Sequence, residues 1–320
     1  MSEKIIVMIM GFPASGKSTL TKAFVEKGFT RLNRDELGGS LKDIVKHLER
    51  NYKEKSIEQF CLDNTYITQD SRAPVLKWAK ANDFVVECHW LNTDVPNAQY
   101  NIVKRMIDTY GKLLMPDELK EKVKQDPGLY PPAVIFSARK RFEKPTLEEG
   151  FTKVVKIPFK RQMEKSKYKN KALILDYDGT LRKTKSGDKF PIVKEDVEIL
   201  PNRAEILKQY KKQGYLLLGV SNQSGIAKGL LSLDQAEKIF EHTNKLLGVD
   251  IEYKFCPHGS FPQVCYCRKP IPGLGVEFVE KYKLDPVQCI MIGDMKTDNT
   301  FADRCGFKYI DSKEFFKEEE

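Results

Sequence analysis

The sequence predicts an α/β protein of two domains, each built on a mainly parallel sheet. Three observations carry this. Short apolar runs alternate with amphipathic helical stretches along most of the chain, the pattern of strands joined by crossover helices. Two of those runs, Lys4–Met10 and Lys171–Leu175, lead into loops rich in residue types that handle phosphate. Between the halves lies KRQMEKSKYKNK, Lys160–Lys171, which is polar, basic and poor in apolar residues and reads as a linker. Domains of residues 1–165 and 166–320 follow, and 320 residues is an ordinary length for two.

In the first half, Ile5–Met10, Gly28–Leu32, Ile57–Leu62 and Phe84–Trp90 are expected strands. Helical periodicity separates them over Ser18–Lys27, Leu41–Arg50, Ala73–Ala81 and Asn97–Thr109. In the second half, strands are expected at Ala172–Leu175, Tyr215–Val220, Ile251–Phe255, Cys289–Ile292 and Phe307–Ile310, with helices such as Arg203–Lys212 and Leu233–Leu247. The ending KEFFKEEE reads as a fraying helix. Ligands of open parallel sheets bind at the carboxyl ends of the strands, so the residues just after each strand are the ones to weigh.

Composition narrows the field. Hydrophobic residues make up 41%, enough for real cores and too many for a mainly disordered chain. No stretch reaches 18 apolar residues, so no membrane partner is expected. Lys and Arg number 54 against 45 Asp and Glu, a net charge of +9, which admits a polyanionic partner. The first apolar run enters a functional-looking loop directly, and signal-peptide cleavage would destroy that loop. A cytoplasmic protein is therefore expected, or a nuclear one in a eukaryote, where Lys160–Lys171 would serve as the signal. Seven cysteines, an odd number, are then expected to be buried thiols or metal ligands.

Gly11-Phe12-Pro13-Ala14-Ser15-Gly16-Lys17-Ser18 fits the phosphate-cradling pattern G-x4-G-K-[ST], with a strand before it and a helix after it. Glycines let the backbone curl so that amide groups, including those of Gly11, Ala14, Ser15, Gly16 and Thr19, face phosphate oxygens. The following helix adds its positive end. Lys17 is expected at the β- and γ-phosphates of ATP and Ser18 on Mg²⁺. Asn33-Arg34-Asp35 follows the second strand. Asp35 there suits a base that takes a proton from an acceptor hydroxyl, with a helix cap or an outer Mg²⁺ contact as alternatives. Asp63-Asn64-Thr65 follows the third strand and brings a second carboxylate to that edge, or a plain turn.

The segments GFPASGKST, LNRDELGG, LDNT and RKRFEKPTLEEGFTKVVKIPF, in this order, resemble the kinase domain of animal-type polynucleotide kinase/phosphatase enzymes. The resemblance implies that Asp35 activates a 5′-hydroxyl and that Arg34, Asp63 and Asn64 lie near the acceptor. Arg105 is implied as the lid cation that neutralises the transferring phosphoryl group. A neighbouring family arginine corresponds here to Val103, so Arg139 and Arg141 stand in reserve for phosphate or base contacts.

Asp176-Tyr177-Asp178-Gly179-Thr180 opens the second half, after a buried strand. The spacing suits chemistry at phosphorus. Asp176 can attack and form an aspartyl-phosphate, while Asp178 protonates the leaving oxygen and later deprotonates water. D-x-D-G-T resembles the haloacid dehalogenase superfamily. By that resemblance Ser221 and Asn222 hold the phosphoryl group and Lys269 neutralises the intermediate. Asp294 and Asp298 bind Mg²⁺ together with Asp176 and Asp178. Cys256, His258, Cys265 and Cys267 can surround a structural Zn²⁺ that pins the loop carrying Arg268 and Lys269. The pattern CPH…CYCRKPIPG resembles the zinc-loop branch, which contains heptose-bisphosphate and histidinol-phosphate phosphatases. Little chain is spare after Thr180 or Ile226, so a minimal cap and an open site are expected.

The two resemblances imply an N-terminal P-loop kinase and a C-terminal Rossmann-like haloacid dehalogenase phosphatase. ATP, Mg²⁺ and Zn²⁺ are the expected cofactors and Arg268 a substrate contact. The expected function is healing of nucleic-acid ends, giving the 5′-phosphate and 3′-hydroxyl that a ligase partner needs. The basic stretches Lys46–Lys55, Ala138–Lys144, Lys160–Lys171 and Leu207–Gln213 either follow the phosphodiester backbone or are solvated helix faces. The rival reading is a small-molecule kinase fused to a sugar- or histidinol-phosphate phosphatase.

Overall fold

A computed structural model describes residues 4–317. Its contacts group into two units, one of residues 1–102 with 121–161 and one of residues 103–120 with 162–320. Among the described residues each unit has one five-stranded, fully parallel sheet. The sequence predicted a single break at 165. Instead the stretch 103–120 groups with the second unit, where Lys104 pairs with Glu280 at 3.4 Å. The expected linker is also anchored at both ends. Arg161 stacks over Tyr100 at 3.4 Å in the first unit. Tyr168 donates to Glu280 at 2.7 Å in the second.

In chain order the first part runs β1 (Ile5–Met10), α1 (Lys17–Val25), β2 (Thr30–Leu32), α2 (Arg34–Leu37), α3 (Ile44–Lys55), β3 (Gln59–Asp63), α4 (Gln69–Ala81), β4 (Val85–Asn92), α5 (Val95–Tyr110), α6 (Pro116–Lys122), α7 (Pro132–Arg141) and β5 (Lys153–Pro158). The strand order is β2-β3-β1-β4-β5. Side chains alternate across a strand, so Ile6, Met8 and Met10 of β1 face the core under α3 and α4, while Val7 and Ile9 face α1. Both faces of this central strand are therefore apolar, as a sheet covered on both sides requires. The edge strand β5 and the helices α6 and α7 were not anticipated. β5 alternates exposed and half-buried residues, which weakens its apolar signal.

The segment before β5 has a structural role. Arg72 of α4 is fully buried and forms a two-pronged pair with Glu149 at 2.7 and 2.8 Å. Its remaining N–H groups reach the Tyr66 and Glu143 carbonyls at 3.0 and 3.1 Å. Thr146 and Glu149 close a capping box, and Phe151 completes the core under α4.

The second part runs β6 (Ala172–Leu175), β7 (Arg182–Thr184), β8 (Val197–Ile199), α8 (Arg203–Lys212), β9 (Leu216–Asn222), α9 (Ser224–Ala227), α10 (Leu233–Leu247), β10 (Glu252–Cys256), α11 (Gly273–Tyr282), β11 (Ile290–Gly293), α12 (Lys296–Cys305), β12 (Lys308–Asp311) and α13 (Ser312–Phe316). The order is β10-β9-β6-β11-β12, with β7 and β8 as a separate antiparallel pair. Helices α8 and α10 lie where the sequence places them, and α10 begins with a Ser232–Gln235 capping box. The expected terminal helix ends at Phe316, and the last three residues lie outside the described ones. The small β7–β8 pair is what occupies the chain after Thr180, in keeping with a minimal cap.

Glu149→Ala should destabilise the first unit by about 3–5 kcal/mol, because it strands the Arg72 guanidinium in the core. The measurement is the urea midpoint of the full chain, compared with Glu148→Ala at an exposed neighbour.

Candidate functional site

Each unit gathers its chemistry at the carboxyl ends of its central strands. In the first, β1 ends at the loop Gly11–Ser18. Ala14 and Gly16 take left-handed backbone angles, φ 59° and 96°, which fold the loop back on itself. Thr93 and Asn101 donate to the Ser15 and Ala14 carbonyls at 2.9 and 2.8 Å and fix its outer rim. No side chain caps α1 at Gly16, so its first amides point into the loop, the arrangement that binds phosphate. The Lys17 ammonium rests on the Phe12 carbonyl at 2.9 Å and the Gly11 carbonyl at 3.3 Å. Ser18 and Thr19 are exposed at the helix start.

Asp63 and Asn64 lie elsewhere than the sequence suggested. Asp63, on the neighbouring strand, is 1% exposed. It accepts from Arg31 at 2.7 Å and from the Ser18 hydroxyl at 3.4 Å. Buried beside the loop's hydroxyl, it suits the shell of a divalent cation held by Ser18 and has no face for a nucleic-acid strand. Asn64 is also buried. It accepts the Arg34 backbone N–H at 2.9 Å and donates to Leu32 and Tyr66, so it positions the start of α2 and does not contact substrate. That helix carries Asp35. Its cap is Asn33, whose side chain accepts from the Asp35 and Glu36 amides. The Asp35 carboxylate is partly exposed and accepts from Arg34 at 2.5 Å. Arg31 was not singled out in the sequence, because its partner is 32 residues away. Val103 is fully buried on α5, which leaves no room there for a cation, and Lys104 and Arg105 follow it on the helix. Arg139 is exposed in the last turn of α7.

In the second unit, Asp176 follows β6 and its backbone N–H donates to Ile292 of β11. The Lys269 ammonium is buried between two carboxylates, 2.5 Å from Asp176 and 2.7 Å from Asp298, and donates to the Val220 carbonyl at 2.9 Å. Burial alone would lower the Lys269 pKa, but Asp176 and Asp298 hold it above the ordinary lysine value. Burial pushes the Asp176 carboxyl up, Lys269 pulls it down, and the Asp298 charge pushes it up again. Asp176, Asp294 and Asp298 each place a carboxylate oxygen within 4.8 Å of the others. Three carboxylates around one ammonium leave negative charge uncompensated. Oxygen donors in that arrangement fit a hard divalent cation such as Mg²⁺.

Asp178 departs from this cluster, contrary to its expected place as a metal ligand. Its carboxylate is turned to Arg182 at 2.8 Å and to Gln223 at 2.8 Å, two donors that hold it as a separate group. Arg182 is itself buried, donating to Thr243 at 2.7 Å. Neither Arg182 nor Gln223 was singled out in the sequence, although Gln223 directly follows Asn222. Gly179 takes φ +84°, and a Cβ there would come within 2.9 Å of the Asp294 carboxyl carbon. The turn that follows Asp178 therefore needs glycine. Ser221 is buried with Gln223 on its hydroxyl oxygen at 2.9 Å. Asn222, expected to hold a phosphoryl group, spends its amide on the Lys269 backbone, donating to the carbonyl and accepting from the N–H, both at 3.0 Å. It is a positioning residue for the lysine.

Cys256 ends β10, and Cys265 and Cys267 lie just before Lys269. Cys256 Sγ is 3.7 Å from Cys265 Sγ and 3.5 Å from His258 Nδ1, which is 3.3 Å from Cys267 Sγ. A tetrahedral ion with bonds of about 2.3 Å to sulfur and about 2.0 Å to nitrogen sets its donors about 3.8 and about 3.5 Å apart. The four donors fit that geometry. Hydrogen bonds from Cys256 and Cys267 favour Cys265 as the thiolate, and thiolates are what a soft cation binds. Arg268 donates to the His258 carbonyl at 3.1 Å, which ties this neck to the lysine loop. Cys61, Cys88, Cys289 and Cys305 are buried thiols outside the cluster, as expected.

Residues 171–316 match the family described as Polynucleotide kinase 3 phosphatase, and residues 6–119 match the family described as AAA domain. The D-glycero-beta-D-manno-heptose-1,7-bisphosphate 7-phosphatase of Haemophilus influenzae is 37% identical over 138 residues, 40% of this chain and 73% of that protein. The bifunctional polynucleotide phosphatase/kinase of Schizosaccharomyces pombe is 36% identical over 157 residues, 48% of this chain and 34% of that protein. The chain thus spans about a third of this second relative. Among solved structures, a chain of an RNA repair complex aligns over 97% of this chain and 96% of its own at 16% identity, with a TM-score of 0.33.

Gln223→Ala should lower phosphate release by up to about 100-fold, since it removes one of the two donors that hold the Asp178 carboxylate. ATP-dependent phosphorylation by the same preparation should be unchanged and serves as the control for folding.

Proposed function

We propose a bifunctional nucleic-acid end-healing enzyme, from the match of residues 171–316 to the polynucleotide kinase 3 phosphatase family and of residues 6–119 to an AAA domain. One unit transfers the γ-phosphate of ATP to a 5′-hydroxyl, and the other hydrolyses a 3′-phosphate. The observation that carries the reading is the joining, in one chain, of a phosphate loop to a D-x-D-G-T site of this particular family.

In the kinase unit, Lys17 and the loop amides bind the phosphates. Ser18 and Asp63 would hold Mg²⁺, which when bound offsets charge on the phosphates. Asp35 accepts the proton of the attacking hydroxyl, the proton moving from that oxygen to its carboxylate. In the phosphatase unit, Asp176 attacks phosphorus. The bond from phosphorus to Asp176 forms as the bond to the 3′-oxygen breaks, and Asp178 supplies the proton to that oxygen. Asp178 then takes a proton from water as water cleaves the aspartyl-phosphate. Lys269 neutralises the carboxylate cluster throughout, and Asp176, Asp294 and Asp298 would hold Mg²⁺. The Cys256, His258, Cys265 and Cys267 set takes Zn²⁺, closed to water and structural.

The 37% identity to a heptose bisphosphate phosphatase favours a second reading of the phosphatase unit, a small sugar phosphate as substrate. An oligonucleotide with both a 5′-hydroxyl and a 3′-phosphate, in DNA and RNA versions, decides between them when heptose bisphosphate is assayed alongside. Turnover of the sugar with both oligonucleotide ends untouched would defeat the end-healing reading.

Asp176→Asn should cost the phosphatase at least about 100-fold and spare the kinase, while Lys17→Ala should do the reverse. Phosphate release and label transfer from ATP on the same strand read the two separately. Cys265→Ser should reduce zinc bound per chain, measured by atomic absorption. Loss of the pinned loop should lower phosphate release by about 10–100-fold, and kinase activity should be retained.

A further inference from the structure

Away from its phosphoryl site, the second unit holds a depression of about 580 Å³ at the amino ends of β9 and β10. Helix α8 ends there and leads into β9, and α10 ends there and leads into β10. Lys208, Lys211 and Lys212 line it from α8, and Lys245 lines it from the last turn of α10. All four are exposed. One carboxylate, Asp250, lies among them. Among the described residues, none of the four ammonium groups enters an ion pair or a hydrogen bond. Other lysines of the same unit do. Lys238, also on α10, meets Asp234 at 2.6 Å, Lys183 meets Glu198 at 3.1 Å and Lys281 meets Glu252 at 2.7 Å.

Helix ends account for part of this charge. A helix carries about half a negative charge at its carboxyl end, and lysines in the last turn complement it. Lys211 and Lys212 stand so on α8, and Lys245 on α10. Lys208 crosses from α8 to the end of α10, where a Cβ on Gly248 would meet its Nζ at 3.4 Å. Two half charges and the Asp250 carboxylate offset about two of the ammonium groups, so about two positive charges remain. They converge on one concave surface. A cleft lined by one sign of charge concentrates ions of the other sign, which a convex solvated helix face does not.

We propose that this depression binds two neighbouring phosphodiesters of the strand whose 3′-phosphate occupies the Asp176 site. The proposal rests on the nucleic-acid reading above and deepens it. The two sites lie at opposite ends of the sheet. Leu216, at the start of β9, pairs with Ala172, which precedes Asp176 on the same run of chain. At about 3.3 Å per residue the two levels are about 13 Å apart. A duplex strand carries one phosphate per about 3.4 Å, so about 4 nucleotides or more separate the contacts. Lys245 lies outside every basic run of the sequence, and the site forms only where the ends of α8 and α10 meet. The unit then grips a length of chain as well as its end, through phosphates alone and without preference for base sequence.

The test is steady-state phosphate release from a single strand of about 12 nucleotides and from a dinucleotide, each ending in a 3′-phosphate. Lys211→Gln, Lys212→Gln and Lys245→Gln, combined in one chain, should raise KM for the long strand by about 8- to 60-fold at about 50 mM salt. The slope of its log KM against log salt should fall by about 1 to 2, at about 0.7 per phosphate released. The dinucleotide has too few phosphodiesters to reach the depression, so its KM should stay as it was, as should kcat on both substrates. A control chain with Lys183→Gln, Lys238→Gln and Lys281→Gln loses the same charge from paired lysines and should behave as the unaltered protein. An unchanged KM for the long strand, or an equal rise on the dinucleotide, would overturn the assignment and leave the hydrolytic reading intact. An equal rise in the control chain would also overturn it, by reducing the effect to net charge. Hydrolysis of heptose bisphosphate with neither strand touched would overturn both.

Discussion

The Lys269 ammonium, out of water between Asp176 and Asp298, is the constraint around which the second unit is organised. A charge so placed is tolerated only with partners on every side, and the chain supplies them from separate strands. Val220 at the end of β9 gives a carbonyl, Asp176 follows β6, and Asp298 follows β11 on α12. Asn222 grips the lysine backbone from both sides, and the Cys/His neck holds the same loop from behind. The parallel order β10-β9-β6-β11 is what brings these strand ends together. The sheet therefore does more than carry the site, because changing its order would separate the ammonium from its counter-charges.

The first unit meets the same problem away from its phosphate loop. Arg72 is as deeply buried as Lys269, but its partner Glu149 comes from the segment that leads into the edge strand β5. This gives the long stretch 139–159 a meaning that differs from the sequence reading. Most of what makes it distinctive serves to close the core beneath α4 and to satisfy a guanidinium. At its start Arg139 is exposed, while Phe142 packs on Phe12 and Trp90.

Motifs whose partners are near in sequence, or that follow a strand directly, were legible beforehand. The phosphate loop, the Asp176–Asp178 pair and the Cys256, His258, Cys265 and Cys267 cluster are of this kind, because strand periodicity says which end of each strand they occupy. Groups whose meaning depends on a partner far along the chain were not. Asp63 reads as an acceptor-side carboxylate until Arg31 and Ser18 are seen against it. Asn64 and Asn222 read as ligand contacts, yet both bond backbone segments, 30 and 47 residues distant. Asp178 was implied as a metal ligand by the resemblance, but its carboxylate is held by Arg182 and Gln223, which the sequence did not single out. Strand β5 escaped notice because a half-exposed edge strand carries no continuous apolar run.

The neck made by Cys256, His258, Cys265 and Cys267 has a consequence for how such an enzyme can diversify. It fastens both ends of the excursion 257–264 to the end of β10, while the tip of that excursion leaves Phe261 91% exposed. The neck also meets the lysine loop directly, through the Arg268 bond to the His258 carbonyl, so only the tip beyond His258 is free to vary. Insertions, deletions and recolouring of the tip are thereby uncoupled from the hydrolytic machinery.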